Sequence, residues 1–118
     1  MNEIARVAEA ADTESPRSER ARASADIVRR ARGYRWVGIY DTGDEEISLI
    51  ADAGCTARDE AIRAQTAAFR KGLVVIPVLG AESGIAIGTL EVESDEIFSE
   101  EDASFLEECA AVLRPLYD

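Results

Sequence analysis

Hydrophobic positions along this chain alternate between a helical period and a strand period, and the switches mark its elements. Ile4, Val7, Ala8 and Ala11 recur at i, i+3, i+4 and i+7, which predicts a short amphipathic helix over 3–11. Ser15-Pro16 punctuates the pattern. Ser15 suits an N-cap and Pro16 the first helical position, where its missing N–H costs nothing. A second helix then runs to Arg32 and stops at Gly33, a natural residue just past a helix end. Its stripe of Ala21, Ser24, Ile27, Val28 and Ala31 is thin and built for close approach, with Arg22, Arg29 and Arg30 pointing away. Residues 1–14 are therefore expected as a helical arm, either docked on another subunit or frayed in a monomer.

From residue 34 the period drops to two. YRWVGIYD (34–41) places Trp36, Gly38 and Tyr40 on one face of a strand and Val37 and Ile39 on the other. Thr42-Gly43-Asp44 turns the chain, and 47–53 returns with Ile47, Leu49 and Ala51 expected inward against Ser48 and Asp52 outward. A second hairpin follows later. Leu73 to Leu79 is nearly all apolar or β-branched, which suits a strand covered on both faces. Gly80 to Gly84 supplies turn residues, and Ile85 to Val92 forms the returning strand. Between the hairpins, Thr56 and Asp59 form a capping box for a middle helix whose stripe is Ile62, Ala68 and Phe69, with Gly72 ending it. Ser99 with Asp102 three residues on begins the last helix. Phe105, Leu106, Cys109, Val112, Leu113 and Leu116 lie on one broad arc, opposite Glu100, Glu107, Glu108 and Arg114.

Charge narrows the partners. The 118 residues carry a net charge of −11, unevenly placed. Residues 1–35 hold eight arginines against six acids, net +2, while the remainder holds five basic against eighteen acidic residues, net −13. Nucleic acid is excluded as a partner, because phosphate binding needs a basic surface. No run of about 18 apolar residues is present, so no membrane span is expected. The N-terminal stretch lacks the apolar core of a secretory signal, and a cytoplasmic protein is expected. There is no histidine, which removes histidine-based nucleophile activation, a histidine zinc site and a histidine haem ligand. The two cysteines, Cys55 and Cys109, are expected as free thiols. No phosphate-cradling glycine loop occurs, and no cofactor is expected.

The phrase IGTLEVES, the acidic corner after it and the helix FSEEDASFLEECAAVL resemble the C-terminal half of GAF domains, a family of small-molecule sensory modules. Trp36 and Gly38 to Tyr40 match the family's first strand, so the resemblance touches both ends of the sheet. It implies a twofold dimer through the N- and C-terminal helices. A typical member carries a further strand and one or two helices between the hairpins, where this chain has only nineteen residues after Asp52. In the branch that reduces free methionine sulfoxide, acids at the positions of Glu91 and Glu93 hold the substrate's amino group. That branch also uses cysteines in the middle loops and a carboxylate near the position of Leu73. Here only Cys55 is present.

The expected architecture is an α+β domain over 1–118: an antiparallel sheet of about four strands, N- and C-terminal helices on one face, and the middle helix on the other. The stripe of 15–32 and the arc of 99–117 are expected to pack together and against a second copy. Candidate ligand-binding residues are Trp36, Tyr40, Asp52, Cys55, Glu91 and Glu93. The aromatic pair suits a planar or cationic group and the acids suit an ammonium, so a small amino-bearing ligand is implied. The plainer reading of Trp36 and Tyr40 is a sheet face packed on the middle helix, and of Cys109 a core thiol. The expected function is a non-catalytic binding or interaction module. A residual sulfoxide reductase is the alternative, with Cys55 at a helix start near Arg58 as the reactive thiol.

Overall fold

The structure is a computed structural model, and it describes residues 2–43, 46–55 and 72–118. The first helix, α1 (Glu3–Asp12), begins at Asn2, whose side chain accepts a hydrogen bond from the Ala5 N–H. The second, α2 (Arg17–Arg32), ends at Gly33, which takes a left-handed conformation at φ 69° and donates its N–H to the Arg29 carbonyl. Pro16, not Ser15, occupies the N-cap of α2, and no side chain caps that end. Two hairpins follow: β1 (Trp36–Asp41) with β2 (Ser48–Gly54), and β3 (Gly72–Leu79) with β4 (Ala86–Ser94). The chain closes with α3 (Glu100–Ala111) and a 3₁₀ turn at Arg114–Tyr117.

The sheet has four antiparallel strands, as expected, and they lie in the order β2-β1-β4-β3. Directly paired residues share a face, so the register sorts every side chain. Val37, Ile39, Leu90, Val92 and Val78 are fully buried and turn toward the helices. Val7 and Ala11 of α1, Ala21, Ala25 and Val28 of α2, and Leu106, Cys109, Leu113 and Leu116 from the C-terminal segment complete one core with them. α2 and α3 thus cover one face, as expected, and α1 joins them there. The middle helix expected over 56–71 falls outside the described residues; Gly72, expected to end it, instead opens β3.

Three expectations change. The arm is no arm: Val7 and Ala11 are at 0 % exposure within their own chain, and α1 lies against both α2 and α3. Arg20 fixes it there. Its guanidinium donates to the carbonyls of Ala11 at 2.8 Å, Ser15 at 2.9 Å and Pro115 at 3.3 Å, joining the C-terminus of α1 to the last turn of the chain. The stripe of α2 accordingly packs on α1 and the sheet; α2 meets α3 at its end, where Arg32 and Tyr34 both bond Asp102. Second, Ile47 and Leu49 are exposed, and of the expected inward set only Ala51 is buried. The register shifts between Ile39 and Tyr40, which pairs Ile39 with Ala51 but Tyr40 with Leu49. One extra residue in β2 turns Leu49 to the face away from the helices. Third, β3 is an edge strand among the described residues, with Val75 and Leu79 exposed. Pro77, which lacks a ladder donor, is at home there.

At the start of α3 the capping box forms as read: Ser99 Oγ accepts from the Asp102 N–H, and the Asp102 carboxylate accepts from the Ser99 N–H at 2.9 Å. Gly88 matters at the other end of the core. A Cβ there would stand 2.1 Å from the Tyr117 hydroxyl, which donates to the Tyr40 carbonyl at 2.7 Å. The last turn of the chain thereby lies directly on β4 and β1.

Candidate functional site

The sheet face turned away from the described helices carries nearly all the candidate residues, and pairing arranges them in rows. Gly54, Trp36, Glu93 and Leu73 form the first row. Asp52, Gly38, Glu91 and Val75 form the second, and Leu49, Tyr40, Thr89 and Pro77 the third. The residues come from all four strands, yet each row crosses only three inter-strand spacings, about 14 Å. The six candidates thus separate into five on this one face and Cys55, half-buried just past the end of β2.

Gly38 is the centre of the arrangement. An added Cβ would lie 2.4 Å and 2.5 Å from atoms of the Trp36 ring and 3.1 Å from the Tyr40 ring. Both rings therefore lean in over the bare backbone, edge-on to each other with centroids 6.5 Å apart. Leaning this way brings the Trp36 indole N–H to Asp52, to which it donates at 2.9 Å. The bond fixes the indole plane and leaves Asp52 further lone pairs. Trp36 is 6 % exposed and Glu93 1 %, while Glu91 and Tyr40 keep intermediate exposure.

Three carboxylates favour a cation on this face, and the three rows themselves hold no lysine or arginine. Aromatic faces carry the same electrostatic preference, since the ring quadrupole attracts cations. The arrangement can hold an ammonium or another cationic group. Among the described residues no group of three or more metal-ligating side chains converges.

The thiols are separated. Cys109 is buried among Leu106, Leu113 and the strand residues of the helix-facing core, and burial pushes its pKa up to about 12. Cys109 forms no disulfide. Sequence reasoning did not single out Thr89, which lies on the candidate face in register with Tyr40 and Pro77. The signal was available: Thr89, Glu91 and Glu93 are alternate residues of one strand.

Comparison with known proteins bears on the fold. No family model matches the chain, and no curated protein matches its sequence. Solved structures do. The GAF domain of a phosphoenolpyruvate-protein phosphotransferase from Acinetobacter superposes with a TM-score of 0.72 at 15 % identity, over 98 % of this chain and 90 % of that one. The corresponding domain from Coxiella burnetii gives 0.68 at 12 % identity, over 98 % and 90 %. The free methionine-R-sulfoxide reductase of Neisseria meningitidis, solved with its substrate, gives 0.72 at 21 % identity, over 97 % and 85 %. Among the described residues no helix is long and apolar enough to cross a membrane. With GAF domains overlaying almost the whole chain, its helices on one side and its 2-1-4-3 antiparallel sheet constitute the GAF fold.

Proposed function

We propose that this chain is a non-catalytic GAF-type binding module whose ligand is a small amine held on the sheet face turned away from the described helices. One observation carries the reading. Asp52, Glu91 and Glu93 share a face and adjacent register rows with Trp36 and Tyr40, around a glycine that lets both rings lean in. An ammonium there meets carboxylates and ring faces together, which strengthens each contact as water is excluded.

Sulfoxide reduction is the less supported reading. The reductase from Neisseria meningitidis shares the fold at 21 % identity, and a free amino acid carries the same ammonium. Thiol-based reduction takes one cysteine to attack sulfur and another to resolve the oxidised product. This chain has two cysteines, and Cys109 is closed in the core on the helix side of the sheet. That leaves Cys55 without a second thiol of its own chain to resolve it.

Trp36 is the sole tryptophan and lies in the site, so its emission reports occupancy directly. Amines and amino acids titrated into the protein should change Trp36 emission and raise the melting temperature. Glu91→Gln should weaken both responses. A flat response to the whole set in both measurements would overturn the proposal.

A further inference from the structure

We infer that Thr89 is a ligand contact, and that the ligand is an amine bearing a neutral hydroxyl close to its ammonium. The inference rests on the binding reading above and specifies its ligand. The Oγ1 of Thr89 is buried and has no hydrogen-bond partner. Buried hydroxyls almost always have one, because a hydroxyl shut away from water unpaired is unfavourable. Thr89 stands in register between Tyr40 and Pro77, on the face of the proposed site. Two residues along the same strand, and therefore roughly 7 Å away, is Glu91. A group that reaches both needs a cation and a hydrogen-bonding atom separated by two or three carbons.

The surroundings select the neutral partner. Asp52 and Glu91 already place two carboxylates in the row next to Thr89, so a ligand carboxylate beside Thr89 would meet like charge. Around Thr89 the face turns apolar: Leu49, Tyr40 and Pro77 share its row, and Leu49 is 48 % exposed. The face runs from two acids in the Gly38 row to apolar groups in the Tyr40 row. It fits a ligand with its ammonium at Glu91, its hydroxyl at Thr89 and its carbon skeleton toward Leu49 and Pro77.

The test uses the whole chain and two probes of equal size, 3-aminopropan-1-ol and n-butylamine, which differ by hydroxyl against methyl. Binding is followed by amide chemical shifts in wild type, Thr89→Val and Thr89→Ser. Thr89→Val should keep or raise the melting temperature, because it removes a hydroxyl that nothing in the free protein satisfies. It should weaken 3-aminopropan-1-ol about three- to tenfold, leave n-butylamine unchanged, and be rescued by Thr89→Ser. A fall of several degrees in the melting temperature of Thr89→Val would show an internal partner and overturn the inference, with the binding reading intact. So would equal binding of both probes to wild type and Thr89→Val. If neither probe binds wild type, the binding reading fails and the inference falls with it.

Discussion

Asp102 makes the stability of this fold depend on pH in a calculable way. Its carboxylate accepts from the Ser99 N–H at 2.9 Å and the Ser99 hydroxyl at 3.0 Å, from Arg32 Nε at 2.6 Å and from the Tyr34 hydroxyl at 2.8 Å. It therefore caps α3 and ties the end of α2 to it. The Ser99 N–H is the largest cause that holds its pKa down to about 2, with Tyr34, the Ser99 hydroxyl and Arg32 adding to it. Against about 3.9 in an unfolded chain, the difference corresponds to about 2.5 kcal/mol before screening. The side chain is 15 % exposed and Arg32 35 %, so solvent screening brings the expected figure to about 1–2 kcal/mol. The sign follows from the depression. The contribution is complete above about pH 4, where the unfolded carboxyl is ionised, and is lost as pH falls through about 2. Asp102→Asn removes the titration while keeping one acceptor. Urea unfolding of wild type and Asp102→Asn, followed by helical signal from pH 7 downward, should show wild type ahead by about 1–2 kcal/mol at neutral pH. The gap should close between pH 4 and 2. A gap that stays constant over that window would refute the argument, because a purely steric or capping-geometry effect does not titrate.

Four further outcomes follow from particular contacts. Gly38→Ala drives a methyl into the Trp36 and Tyr40 rings; Trp36 emission should shift as the indole leaves Asp52, and amine binding should fall at least tenfold, as read by fluorescence titration. Arg20→Met removes charge-assisted bonds to three carbonyls and should cost about 2–3 kcal/mol in urea unfolding. Cys109, in the core with its pKa pushed up to about 12, should react with a thiol reagent at pH 8 only at the rate of global unfolding, measured by mass spectrometry after timed quenching. The helical stripes are buried within the chain, so a homodimer made by the helical layer must use its outer faces, where Arg22 and Arg30 are exposed on α2 and Glu107 and Glu108 on α3. Sedimentation should then show association that weakens with added salt.

What the sequence could and could not express divides by the range of the interaction. Alternation placed Trp36, Gly38 and Tyr40 opposite Val37 and Ile39, and Glu91 and Glu93 on a common side, because side-chain direction along a strand is local. The capping box of α3 and the left-handed Gly33 were legible for the same reason. The bulge in β2 was not. Ile47, Leu49 and Ala51 keep a clean alternation, and only the pairing with β1 shows that one residue is extra. The destination of α1 was hidden too, since Val7 and Ala11 say that a face is buried but not by whom. The edge position of β3 had a signal that the apolar run obscured: Pro77 lacks the donor a central strand needs. The acids of the candidate face show most clearly how local reading becomes a site. Glu91 and Glu93 are neighbours by alternation, but Asp52 lies some forty residues earlier, on the far side of β1. It reaches the same face because Gly38 pairs with it on one side and with Glu91 on the other. A glycine at that crossing contributes no chemistry of its own, and its missing side chain is what allows two aromatic rings and three carboxylates to share one surface.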